Sequence, residues 1–211
     1  MSGMIFKLAV LLLKEYANKQ ASKDKLEDTS NKQGKGLSIA ILGTKGAGKT
    51  TLLNTLRNKA GEKTFVTSYE SYQDFDYKKA DGTIVHIQKG WDIGGGNLYK
   101  KEYESMIENA DLVFYLFDIN KLIEDEEEKR EIYSRLEFIT RKCISNKKRL
   151  VTLLTHSDKL KRDLQEVMRL YRDDVYKRDN GSYKAAVTDY HFEPINMTNE
   201  LSVRQLLDKL L

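Results

Sequence analysis

In 211 residues, 40% hydrophobic and 32% charged, there is room for one α/β domain with an appendage and a sizeable core, but not for two full domains. The single Cys143 excludes an internal disulfide and agrees with a reducing compartment, so a cytoplasmic setting is expected. Of the net charge of +4, residues 1–36 hold +3; the remainder is almost neutral and lacks the concentrated basic face of a nucleic-acid binder, so no nucleic-acid partner is expected.

Residues 5–18 read as an amphipathic helix in which Lys7, Lys14 and Asn18 share one narrow stripe and the rest is almost all apolar. A bilayer span needs about 20 apolar residues, and this stretch is too short and is interrupted by Lys7. Three readings stay open: a helix lying in a membrane interface, a helix packed on the domain or on another chain, and, last, a signal peptide, for which no convincing cleavage site is evident. Position 2 is Ser rather than the glycine that myristoylation needs, and the Lys-Leu-Leu end lacks a prenylation cysteine. Residues 19–36 are polar and nearly free of apolar side chains, so they read as a flexible linker. The expected division is an N-terminal helix over 1–18, a linker over 19–36 and a folded domain over 37–211.

The apolar run Leu37 to Leu42 reads as a strand, and Gly43-Thr44-Lys45-Gly46-Ala47-Gly48-Lys49-Thr50 follows it directly, before the helical segment around Leu52 to Leu56. This GxxxxGKT pattern between strand and helix points to a nucleoside triphosphate site. Glycines let the backbone wrap a phosphate with its N–H groups, and the helix offers its positive end. Lys49 is placed to reach the β- and γ-phosphates, and Thr50 to ligate Mg²⁺. Thr44 to Thr51 are therefore candidate nucleotide contacts, Lys45 among them as a side chain close to the γ-phosphate.

An alternating segment around Tyr72 to Lys79, the turn signal Asp81-Gly82, and Thr83 to Gln88 predict a hairpin. Trp91-Asp92-Ile93-Gly94-Gly95 follows. Asp92 is suited to hold Mg²⁺ through a water, and Gly95 lets a backbone N–H approach the γ-phosphate. A helix over 99–109, a buried strand over 112–117 and a long helix over 126–145 come next, the acidic run Glu124 to Glu128 being an exposed helix start without a site. After the strand over 150–154 stands Thr155-His156-Ser157-Asp158-Lys159, whose Asp158 is suited to accept two hydrogen bonds from guanine, a match that adenine lacks. A helix over 160–176, a strand over 191–196 and a helix from Leu201 complete the pattern. Alternating helices and strands, most strands apolar on both faces, predict a three-layer α/β sandwich with a mainly parallel sheet of about six strands and one antiparallel edge hairpin. In such a sheet, ligands bind at the carboxyl ends of the strands.

With these motifs in place, the chain resembles a small GTPase of the Ras-like P-loop superfamily, and Trp91-Asp92-Ile93-Gly94-Gly95 is most similar to the Trp-Asp-x-Gly-Gly of the Arf and Arf-like branch. The resemblance covers about residues 37–211 and extends to the leading helix. It implies GTP/GDP and Mg²⁺ as cofactors. It further implies an effector protein with GTPase-activating and exchange factors as partners, and leaves peripheral membrane attachment and oligomerisation open. In the family's Asn-Lys-x-Asp or Thr-Lys-x-Asp base motif, Thr155 and Asp158 match, while His156 replaces the lysine. Asn196-Met197-Thr198 occupies the place of the loop that offers a backbone N–H to the guanine oxygen. The resemblance places the switch threonine, a Mg²⁺ and γ-phosphate contact, at Thr67, with Thr64 close behind. Where relatives carry the water-orienting glutamine, this chain has Gly96.

No catalytic residue is assigned; Thr67, Gly95 and Lys45 are the candidates near the γ-phosphate. The reading is a guanine-nucleotide switch with slow intrinsic hydrolysis. Two alternatives stand beside it, a non-hydrolysing structural GTP-binding tether and a P-loop ATPase or kinase. The latter is disfavoured because Arg57 and Arg130 are isolated rather than part of a lid.

Overall fold

A computed structural model describes residues 36–59, 69–94, 100–177 and 191–211. The helix expected over 5–18 lies outside these, as do residues 19–35 of the linker expected over 19–36 and the positions Thr64, Thr67, Gly95, Gly96 and Tyr99. In chain order the elements are β1 (Ile39–Gly43), α1 (Lys49–Leu56), β2 (Tyr69–Tyr72), β3 (Phe75–Lys78), β4 (Ile84–Ile87), β5 (Gly90–Ile93), α2 (Lys100–Asn109), β6 (Leu112–Asp118), α3 (Ile119–Glu124), α4 (Glu126–Ser145), β7 (Arg149–Thr155), α5 (Leu164–Lys177), β8 (His191–Pro194) and α6 (Glu200–Leu210). A short 3₁₀ turn, Ser157–Lys159, follows β7.

The central sheet is parallel, in the order β1-β6-β7-β8. Gly43 pairs with Leu116 and Asp118 with Thr155, so these strands finish side by side at one edge. Alternation along each strand feeds two cores. On one face Ala40, Leu42, Tyr115, Phe117 and Leu154 pack with Ile107 of α2, Leu136 of α4 and Tyr171 of α5. On the other, Ile39, Ile41, Phe114, Leu116 and Leu153 pack with Leu52 and Leu56 of α1 and Leu207 of α6. A strand buried on both faces reads as a continuous apolar run because helices cover both sides.

The edge hairpin differs from the expected single ladder. It forms two short antiparallel ladders, β3 with β4 and β2 with β5, and reaches beyond the expected segment to Tyr69 and Ile93. Both ladders keep one register, since Phe75 opposes Ile87 and Tyr72 opposes Gly90. The ladder lapses between them because the amides there bond elsewhere: Gln88 N donates to the Leu37 carbonyl at 3.0 Å, and Lys89 N donates to the Asp74 carboxylate. The first of these bonds belongs to a parallel bridge between Leu37 and Ile87, which ties the hairpin to the chain entering β1. The expected mainly parallel sheet of about six strands with an antiparallel edge hairpin is thus, among the described residues, four parallel strands plus a hairpin joined at one bridge.

Side chains set the helix starts. Asp125 caps α4 by accepting from the amides of Glu127 and Glu128 at 2.9 and 3.0 Å, and Glu126, Glu127 and Glu128 fill the first turn, where the helix dipole favours them. The acidic run is therefore a helix entry. Among the described residues no helix is long and apolar enough to cross a membrane. Cys143, fully buried on α4, has its thiol pushed up to about 12 by burial, which Lys148 opposes only in part. A thiolate is the reactive form. We expect no modification of the native chain by a maleimide at neutral pH and one adduct by mass in denaturant; rapid native labelling would contradict this packing.

Candidate nucleotide site

The P-loop leaves the sheet at Gly43, and its geometry is fixed from both sides. Thr44 N donates to the Leu116 carbonyl at 3.1 Å, and Ala47 N to the Thr44 carbonyl at 3.3 Å. Gly46 and Gly48 hold φ of 76° and 87°, a left-handed conformation that glycine adopts without a Cβ penalty. At Gly48 a Cβ would also meet Met197 Cγ at 3.2 Å. The loop then runs into α1, and the N-terminal end of a helix favours an anion.

Lys49 opens that helix and is 93% removed from solvent, at 7% relative exposure. Its ammonium donates to the Gly43 carbonyl at 3.2 Å and to the Thr44 carbonyl at 2.9 Å. Burial lowers its pKa to about 8; the Asp92 carboxylate pulls the other way and Arg135 adds to the lowering. A desolvated cation facing a wrapped backbone loop suits a phosphate, because charge pairing is stronger where water is excluded.

Beside it, the Thr50 hydroxyl donates to Asp92 Oδ2 at 2.7 Å. Asp92 lies at the end of the hairpin's returning chain, in β5 one residue before its close, and is 4% exposed. These hard oxygens fit Mg²⁺, which takes one or two protein ligands and completes its shell with water and substrate phosphate oxygens. Lys45 is exposed on the rim of the loop, and Thr51 is half-buried on α1, its carbonyl accepting from Thr55.

The base-reading candidates stand at the ends of β7 and β8. Thr155 is fully buried and donates to the Phe117 carbonyl at 3.1 Å. His156 sits in the left-handed region at φ 59°, its Nδ1 3.1 Å from the Thr155 hydroxyl and 3.4 Å from Asp118 Oδ2. Asp158 and Lys159 are exposed in the 3₁₀ turn, open to a ligand. Ser157 N donates to the Ile195 carbonyl at 3.5 Å, which joins this turn to the loop after β8. In that loop Asn196 Oδ1 accepts from the Thr198 amide and hydroxyl at 2.8 and 2.7 Å, and Met197 packs under Gly48.

Two further side chains support this end of the sheet, and the motifs did not disclose them. Asp118 ends β6 and caps α3 by accepting from the Asn120 amide at 2.9 Å. Asn120 in turn donates to the His156 carbonyl at 3.1 Å, holding the strained turn that presents Asp158. A polar residue closing the run Leu112 to Phe117 is the signal that could have found Asp118; nothing local marks Asn120.

A glycine loop leading into a helix, a buried lysine, a Thr–Asp oxygen pair and an exposed turn after β7, all at the carboxyl edge of a largely parallel sheet, define a protein of the P-loop GTPase α/β fold. The ADP-ribosylation factor family model matches residues 22–171, and the chain belongs to that family. Its members are in general GTP-binding switch proteins and GTPases.

Proposed function

We propose that this chain is a guanine-nucleotide switch of slow intrinsic hydrolysis, carried to a membrane by its N-terminal helix. The observation that supports it most is the convergence of buried Lys49 with the Thr50–Asp92 oxygen pair at the P-loop. In this reading Lys49 and the loop amides from Thr44 to Thr51 hold the β- and γ-phosphates, with Lys45 at the rim. Thr50 and, through a water, Asp92 hold Mg²⁺, which neutralises phosphate charge. Thr155, His156, Asp158 and Lys159, with the Asn196 to Thr198 loop, bind the base. Thr67 and Gly95 order around the γ-phosphate, which changes the surface that an effector reads; exchange and activating factors move the chain between its states.

A fluorescent-nucleotide titration with Mg²⁺ tests the reading. GTP and GDP are expected to bind far more tightly than ATP, and Asp158→Ala to lose about 5- to 160-fold of that preference, the roughly 1–3 kcal/mol of a bidentate base contact. Equal or better ATP binding would bring the ATPase or kinase class forward. Flotation with liposomes in each nucleotide state tests the membrane part; a chain that stays in solution in both states overturns it.

Hydrolysis is expected to be slow because Gly96 has no side chain to orient water where relatives have glutamine. Single-turnover release of phosphate from the purified chain checks this, and a rate matching that of activator-stimulated relatives would refute it. The same glycine favours a second reading, a structural tether that keeps its nucleotide. Nucleotide that does not exchange over hours in excess EDTA would select the tether over the switch.

A further inference from the structure

The turn that carries Asp158 is tied to β6 through one carboxylate. Asp118 ends that strand as the register partner of Thr155, and each of its oxygens leads to His156. Oδ1 accepts from the Asn120 amide at 2.9 Å and from Asn120 Nδ2 at 3.1 Å, and the same Nδ2 donates its second hydrogen to the His156 carbonyl at 3.1 Å. Both partners of that nitrogen are acceptors, which fixes the orientation of the carboxamide. Oδ2 lies 3.4 Å from His156 Nδ1. The Thr155 hydroxyl oxygen lies 3.1 Å from the same ring nitrogen, and its one hydrogen is spent on the Phe117 carbonyl at 3.1 Å. A hydroxyl with no hydrogen left to give acts as an acceptor. Nδ1 therefore carries the ring hydrogen and directs it at Thr155 Oγ1 and Asp118 Oδ2.

His156 is thus held twice, by its carbonyl and by its ring, and it is the residue of the turn that needs holding. Its φ of 59° is a conformation that residues with a Cβ disfavour. The bonds from Lys159 N to the His156 carbonyl at 3.0 Å and from Leu160 N to the Ser157 carbonyl at 3.4 Å lie inside the turn and move with it. The tie from Ser157 N to the Ile195 carbonyl beyond β8 is long, at 3.5 Å. A carboxylate that accepts two hydrogen bonds from one base tolerates little displacement, because each bond weakens steeply off its line. We infer that Asp118 and Asn120 are positioning residues for guanine recognition, holding His156 in its left-handed conformation through its carbonyl and its Nδ1–H and so setting where Asp158 stands. The inference rests on the base-reading role proposed for Asp158. It adds that the preference for guanine is fixed from the end of β6, outside the Thr155 to Lys159 motif.

Two measurements on the full chain test it. The first is a titration with fluorescent GTP and ATP in Mg²⁺ of the unmodified chain, Asn120→Ala, Asp158→Ala and the double variant. Asn120→Ala keeps the backbone amide that Asp118 caps and removes only the carboxamide. It is expected to weaken GTP binding about 3- to 10-fold, the net loss of one hydrogen bond, and to leave ATP binding unchanged. With Asp158→Ala already in place it is expected to change nothing further. Equal weakening of GTP and ATP, or the same loss in both backgrounds, would assign Asn120 a merely structural role and overturn the inference, as would no loss at all. The second is the ring ¹⁵N spectrum of the nucleotide-free chain in EDTA, with His156 assigned by the loss of its signals in His156→Gln. A protonated Nδ1 is expected. Asp118→Asn, which can still cap α3 but offers an NH₂ to the ring, is expected to move the hydrogen to Nε2. An Nδ1 without hydrogen in the unmodified chain, or a ring unaffected by Asp118→Asn, would overturn the inference. An unmodified chain that binds GTP no better than ATP would overturn the base reading itself, and the inference with it.

Discussion

Lys49→Met is expected to produce a nucleotide-free protein that is more stable than the unmodified chain and that binds GTP and GDP at least about a hundred-fold more weakly, the cost of removing a buried charged hydrogen-bond donor. The two effects share one cause. Burial, opposed by Asp92 and reinforced by Arg135, lowers the lysine's pKa from 10.5 to about 8 in the folded state. At neutral pH the folded chain must keep a proton that its surroundings disfavour, a penalty of about 3 kcal/mol from the size of the shift. Between pH 8 and 10.5 the unfolded lysine retains its proton while the folded one releases it, so the unfolded state binds more protons and stability rises with pH across that window. Methionine fills the same channel without charge. The variant should therefore melt higher than the unmodified chain at pH 7 in EDTA, and the difference should shrink as pH rises past 8. Thermal melts at pH 7, 8.5 and 9.5 read this directly. A variant that melts lower at pH 7 would show that the lysine's bonds to Gly43 and Thr44 outweigh its desolvation. The site holds a destabilising charge for its ligand, a trade common where binding needs a group that folding does not.

What the sequence disclosed of this site and what it hid divide along a physical line. Gly46, Gly48, Lys49 and Thr50 are contiguous, and each residue type is demanded by phosphate chemistry, so their pattern is visible without any fold. Asp92 needed one step more, a strand to carry it, and the hairpin pattern supplied that step even though its ladder breaks at Asp74 and Lys89. Asp118 and Asn120 act through a cap and a carbonyl, contacts that any Asp or Asn near a helix start can make. Tyr103 and Arg135, which donate to the Gly43 carbonyl at 3.2 and 3.5 Å, were hidden for a stronger reason: they lie on separate amphipathic helices and meet only because α2 and α4 pack on the same face of β1. Periodicity assigns such residues to a buried face and is silent about which atom they touch. The left-handed turn at His156 was equally hidden, because its conformation is held by the Asn120 side chain rather than by a glycine.

Gly43→Ala is expected to be the most damaging single substitution in the P-loop, and the reason lies in the sheet rather than in the nucleotide. A Cβ at this position would stand 2.2 Å from the Leu116 carbonyl oxygen and 3.0 Å from its carbon. These are backbone atoms of β6, and Leu116 is the register partner of Gly43, so the clash is relieved only by prying the two strands apart. The same carbonyl accepts from Thr44 N, and that bond fixes the first residue of the loop. Gly46 supplies the contrast, since a Cβ there meets nothing within 4 Å and only the φ of 76° resists it. Gly46→Ala should cost about 1–2 kcal/mol, the penalty of a left-handed residue. Gly43→Ala should exceed about 4 kcal/mol, the range reached when a core cannot accommodate an added group. Urea unfolding of both variants in EDTA measures the pair without reference to ligand. Equal costs would mean that β1 and β6 separate easily at their carboxyl ends, and the rigid edge on which Lys49, Thr50 and Asp92 are aligned would have to be sought elsewhere. The expected inequality makes that edge a matter of strand packing, with Gly43 required by the neighbouring strand and Gly46 by the path of the loop.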